Sequence, residues 1–175
     1  GVIRHLPALC LFTVPSPASY LRLTPGRWSS SVAAVGIGNR ETALRLPPSW
    51  SGEGATPAKR LNVEYRAGDA TASPYLTLGV LVRAGLEGIR EKLSAPELLN
   101  IPPSELDEAD RKKRGIALLP TSLDEALALA GADSVVKGWF PDDLWSVFRS
   151  VKQGEIACVK DMSPEEIAET YRKYY

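Results

Sequence analysis

Two periods of hydrophobic spacing divide this chain into helices and strands. Positions 2–12, VIRHLPALCLF, are apolar almost throughout and predict a buried helix. "PSPASYLRL" follows as a Pro/Ser turn leading into a short helical segment. "SSSVAAVGIG", residues 29–38, predicts a strand of small residues ending in a turn at Gly38-Asn39. "ETALRL", residues 41–46, alternates with period two: Glu41, Ala43 and Arg45 share one face, and Thr42, Leu44 and Leu46 the other. "PPSWSGEGATPAK" is a loop by composition. Residues 60–66 predict a third strand, with Leu61, Val63 and Tyr65 toward a core and Arg60, Asn62, Glu64 and Arg66 in a polar row.

The period then becomes helical. Asp69 or Ser73 is placed to cap a helix from Pro74 to about Leu93, where proline suits the first turn. Leu76, Leu78, Val80, Leu81, Val82, Leu86 and Ile89 make that helix apolar on most sides, so it is expected to be buried. Residues 94–121 read mostly as loop, including the charged ELDEADRKKRG. Its RKKR cluster at 111–114 reads as solvated, because flanking acids cancel its field. Three amphipathic helices close the chain: TSLDEALALA with a capping box from Ser122 to Glu125, FPDDLWSVFRSVKQGEI, and SPEEIAETYRKYY. Three strands are few for a sheet. The rest of the sheet is expected upstream, in a longer protein from which this chain is cut.

Composition narrows the possible functions. The chain has 175 residues, 21 Lys plus Arg and 21 Asp plus Glu. This balance excludes a general affinity for nucleic acid or for acidic membranes. The apolar start is interrupted by Arg4, His5 and Pro7 and falls short of the roughly 20 residues of a membrane span. Cys10 and Cys158 offer no disulfide framework and read as reduced thiols of a cytoplasmic protein. His5, the single histidine, cannot build a histidine metal cluster.

The candidate chemistry lies on the third strand. Same-face neighbours on a strand are roughly 6.5 to 7 Å apart, so Glu64 sits in a row with Arg66, and Arg45, Arg40 and Arg22 lie on neighbouring segments. Arginine grips carboxylate and phosphate with a planar fork. A carboxylate among arginines suits an anionic ligand and a hard cation such as Mg²⁺. Spacing alone favours a surface ladder of cross-strand ion pairs over such a site. No Gly-rich phosphate loop and no Ser/His/Asp set is present.

The wording of these stretches narrows the choice. "FTVPSPASYLRLTPG", "NRETALRLP" and "VEYRAGDATASPYLTLGVLVRAGLEGI" resemble three consecutive motifs of glutamine synthetases, approximately FTNPTxNSYKRLVPG, NRSASIRIP and IEVRxPDxxxNPYL followed by an apolar helix. "LPTSLDEALALA" resembles the family's PxSLxEALxxL. "PGRWS" and "VKGWFPDDLW" resemble the FluG-type members most.

The resemblance implies an α+β fold: the C-terminal portion, over residues 1–175, of a glutamine synthetase-like catalytic domain, with antiparallel strands packed against several helices and lining a funnel-shaped site. It implies an ATP-dependent ligase, or a non-catalytic relative that keeps the fold. In the ligase, ATP phosphorylates the γ-carboxylate of glutamate and an amine displaces the phosphate, with Mg²⁺ or Mn²⁺ neutralising the phosphates. Glu64 falls on a metal ligand. Arg22 and Arg66 fall on arginines that hold the amino acid or its acyl phosphate. Arg40 and Arg45 fall on arginines that meet the nucleotide phosphates, Arg40 with a catalytic role like Arg66, and Lys59 falls on a nucleotide-contacting lysine. Trp28 departs from the pattern, standing where the family has a glutamate in the flap that receives ammonium. The remaining metal ligands are expected upstream of Gly1, so this stretch alone is expected to be inactive. A homo-oligomeric parent is expected as well.

Overall fold

The computed structural model describes residues 1–23, 30–48 and 62–174. Helix α1, Val2–Thr13, is the centre of the fold, as its apolar run predicts. Leu6, Leu9, Leu11 and Phe12 are fully or almost fully buried, and Pro7 is carried inside the helix. The Phe12 ring stacks on Phe140 at 4.8 Å and on Phe148 at 5.3 Å, with Trp145 tilted against it at 6.4 Å. A short 3-10 turn, Pro17–Leu21, follows, capped by the Ser16 hydroxyl, which accepts from the Ala18 N–H.

Among the described residues three strands form one sheet in the order β1 (Val32–Ile37), β2 (Thr42–Leu46), β3 (Glu64–Tyr65). β2 and β3 are antiparallel, with Leu44 opposite Tyr65 and Arg45 opposite Glu64. β1 and β2 are parallel, with Gly36 opposite Arg45 and Ile37 opposite Leu46, against the all-antiparallel expectation. Gly38, at φ +66°, lets the chain double back after β1, and Asn39 ties the turn to the 98–101 segment, so β2 restarts beside the beginning of β1. The third strand is also shorter than predicted. Asn62 and Val63 precede it, Val63 is 49% exposed, and Arg60 and Leu61 lie outside the described residues.

Residues 94–121, predicted as loop, do structural work along β1. Leu99 N–H donates to Val35 O at 2.7 Å, and Ala33 N–H to Ala117 O at 2.8 Å. These bonds satisfy backbone groups of β1 that β2 does not reach. A 3-10 turn, Pro103–Glu105, and a short helix α3, Glu108–Lys113, lie inside this stretch. The RKKR cluster is solvated as expected, with Lys112 paired to Glu108 and Arg114 to Glu97.

Helix α2, Pro74–Arg90, is not buried all round. Val80 and Ala84 are buried, while Tyr75, Leu78, Val82, Leu86 and Ile89 are exposed. The i, i+4, i+8 stripe Val80–Ala84–Gly88 lies against α1, where a Cβ on Gly88 would come within 2.5 Å of the Gly1 nitrogen. Ser73 precedes the helix without a side-chain cap, and Asp69 instead closes an Asx turn on Thr71.

Four helices follow where three were predicted: α4 (Leu123–Ala132), α5 (Ser134–Lys137), α6 (Asp142–Val159) and α7 (Pro164–Arg172). Asp133 both caps α5 and meets His5 Nδ1 at 2.6 Å, joining α1 to the α4–α5 corner. The Ser122 hydroxyl caps α4, but the Glu125 carboxylate reaches back to Thr121 rather than to Ser122. The full capping box is on α7, between Ser163 and Glu166.

Candidate active site

The polar row expected on the third strand forms. Register places Arg45 of β2 directly across from Glu64 of β3. Arg45 Nη1 donates to both Glu64 carboxylate oxygens at 2.8 Å. Arg66, two residues on and therefore on the same face, brings Nη1 to 3.5 Å from Glu64 Oε2. Its Nε donates to the Arg40 carbonyl at 2.9 Å, which draws the β1–β2 turn against the end of β3. Arg22, just past the first 3-10 turn, donates from Nη2 to Gly68 O at 3.1 Å, close after Arg66 in the chain. Glu64, Arg45 and Arg66 therefore meet through their side chains, Arg40 joins them through its carbonyl, and Arg22 is tied to the chain two residues beyond Arg66. Trp28 and Lys59 lie outside the described residues.

The charge of this wall is mainly positive. The hydrogen bond from Arg45 is the largest of several influences that hold the Glu64 carboxyl below its ordinary range, and the Arg45 and Arg66 charges act the same way against partial burial. Glu64 keeps a third of its side-chain surface exposed, whereas Arg45 keeps 16%. Arg45 Nε is buried and has no hydrogen-bond partner among the described residues. A buried cationic donor without an acceptor is costly, and an anionic oxygen beside it would relieve that cost.

Sequence reasoning treated Asn39 only as a turn residue, yet its side chain makes three hydrogen bonds behind the arginines. Its position after a glycine between two strands was the available signal, and it pointed to turn geometry alone.

The fit to a divalent ion is partial. Glu64 is ionised and partly open, which suits one ligand position for a hard cation. Both of its oxygens meet Arg45, and no group of three or more His, Cys, Asp or Glu side chains among the described residues is placed to hold a metal. Glu64 can thus supply one ligand to such an ion, and Arg45 would have to yield at least one oxygen.

A family profile described as "Glutamine synthetase, catalytic domain" matches residues 1–171. The chain belongs to the glutamine synthetase family. It is 35% identical, over its whole length, to a gamma-glutamylpolyamine synthetase of Streptomyces coelicolor, and covers 37% of that protein. It is 37% identical over 137 residues to the glutamine synthetase of Pyrococcus woesei, covering 30% of it. Among solved structures, a crystal structure titled as a novel glutamine synthase homolog superposes with a TM-score of 0.81 at 35% identity, over all of this chain and 37% of that one. The chain therefore covers between 30% and 37% of the length of these relatives. The comparisons carry the family, an α+β catalytic domain of ligases. These comparisons do not show the FluG-type likeness expected from PGRWS and VKGWFPDDLW.

Proposed function

We propose that the protein carrying these residues is an ATP-dependent γ-glutamyl ligase whose acceptor is an amine larger than ammonium. The observation that carries this reading is the pair Arg45 and Arg66 around the ionised Glu64, backed by the Arg40 carbonyl, with a buried Arg45 Nε that lacks an acceptor among the described residues. In this reading Arg40 and Arg45 meet the ATP phosphates, and Lys59 adds a further cation to them. Arg22 and Arg66 hold glutamate and its acyl phosphate. Arginine suits both tasks, because its fork matches carboxylate and phosphate oxygens.

The γ-carboxylate oxygen of glutamate attacks the γ-phosphorus of ATP, and ADP leaves. The amine nitrogen then attacks the acyl carbon, loses a proton, and phosphate leaves with the oxygen it gained. Charge accumulates on phosphate oxygens in the first step, where fixed guanidiniums stabilise it without reorganising. Glu64 would hold a divalent ion, which supplies further positive charge against the phosphates when bound.

Two observations support the larger amine. Trp28 stands where the resemblance puts an ammonium-binding glutamate, and an indole offers an apolar face, one N–H donor and no basic site. A ring face also attracts cations, by about 0.5 to 2 kcal/mol. The Streptomyces relative that matches the whole chain is named for a polyamine acceptor. The test is phosphate release from ATP and glutamate with a linear diamine, a polyamine or ammonium as acceptor. We expect a higher kcat/KM with the larger amines. Ammonium turnover equal to or above theirs contradicts the preference.

A second reading, a non-catalytic member that keeps the fold, is favoured by one feature: Arg45 occupies both oxygens of the Glu64 carboxylate. Absence of phosphate release with every amine, alongside intact ATP binding, would support it. On either reading a homo-oligomeric, cytoplasmic protein is proposed.

A further inference from the structure

We infer that Asn39 is a positioning residue for the arginine wall: its amide clamps the β1–β2 turn to the 98–101 segment and so fixes the Arg40 carbonyl under the Arg66 guanidinium. The inference rests on the ligase reading for what Arg40 and Arg66 do, and on geometry alone for how they are held.

Asn39 Nδ2 donates to Ile101 O at 3.0 Å and to Leu99 O at 3.3 Å. Its Oδ1 accepts from the Glu41 N–H at 3.0 Å. Two carbonyls on one side and an N–H on the other leave a single orientation for the amide. The Asn39 and Leu44 carbonyls share the single proton of the Thr42 hydroxyl, at 3.0 and 2.9 Å. Every polar group of the Asn39 side chain is engaged within three residues of Arg40 or on the anchoring segment.

The anchor is firm. Leu99 is 1% exposed, packs with Val32 and Ala34, and donates its N–H to Val35 O. Gly36 makes the approach possible: a Cβ there would lie 2.7 Å from Leu99 O and 2.8 Å from the Asn39 Cβ. From the clamped turn the next carbonyl, that of Arg40, accepts from Arg66 Nε at 2.9 Å, and Arg66 then meets Glu64. Loss of the clamp frees the turn, and the Arg40 carbonyl and side chain move with it.

The test reads the Arg66 Nε–H directly, by NMR in the protein without ligands, with Arg66→Lys used to assign the resonance. Asn39→Ala is expected to speed its exchange with water at least tenfold. Asn39→Asp, nearly isosteric, keeps Oδ1 for the Glu41 N–H but loses both Nδ2 bonds, and is expected to shift exchange in the same direction. An unchanged Arg66 Nε–H in folded Asn39→Ala overturns the inference. Should that variant fail to fold, unchanged exchange in Asn39→Asp overturns it. In the phosphate-release assay the better-folded of the two variants is expected to lose kcat with the amine KM within twofold of wild type. A fall in amine affinity with kcat preserved counts against positioning of the arginines. An inactive wild type with the expected exchange result counts against the ligase reading only.

Discussion

Arg45 and Glu64 stand opposite one another on β2 and β3, and a single guanidinium nitrogen of Arg45 lies 2.8 Å from each Glu64 carboxylate oxygen. This pair ties the shortest strand to the sheet and sets the charge at the centre of the candidate site. The guanidinium stabilises the ionised carboxylate, so the folded pKa of Glu64 lies below its ordinary value of 4.5. The stabilisation is present above the unfolded pKa and is lost as pH falls through the folded one. Glu64→Gln is therefore expected to lower Tm at pH 7 and to match wild type in strong acid. A Tm difference that persists unchanged to low pH would assign the loss to packing instead of charge.

Phe12 carries the aromatic cluster that joins α1 to α6 through Phe140, Trp145 and Phe148. It is 2% exposed, and the rings around it cannot collapse fully into the space it would leave. Phe12→Ala is expected to destabilise by about 3 to 5 kcal/mol, as buried aromatic truncations do. Urea unfolding measures this directly. A loss below about 1 kcal/mol would place the core elsewhere.

Much of this was legible in the sequence. The apolar run of α1 and the alternation around Glu64 gave both the central helix and the face that carries Arg45 and Arg66 beside Glu64, because period fixes direction. Helix α2 misled: its composition reads as buried, yet Tyr75, Leu78 and Ile89 are open, because burial depends on what covers a face and composition does not record that. The parallel pairing of β1 with β2 was hidden because it depends on Asn39 reaching carbonyls about 60 residues away. The His5–Asp133 link across 128 residues is another contact that no local pattern announces.

The two cysteines should differ in reactivity. Burial pushes the Cys10 thiol up to about 12, which leaves almost no thiolate near neutral pH, while Cys158 is exposed on α6. Labelling with a disulfide reagent at pH 8 is expected to consume one thiol in the folded protein and a second only after denaturation. Two fast reactions would mean that α1 opens readily.

The central claim is phosphoryl transfer to a glutamate γ-carboxylate followed by amine attack, carried out at the arginine wall. The most direct measurement supplies ¹⁸O in that γ-carboxylate, with ATP and a polyamine acceptor, and follows the released phosphate by mass spectrometry. One ¹⁸O in each phosphate, with a γ-glutamylamine formed in equal amount, is the predicted result. Unlabelled phosphate would mean that water, not glutamate, receives the phosphoryl group, and would contradict the account.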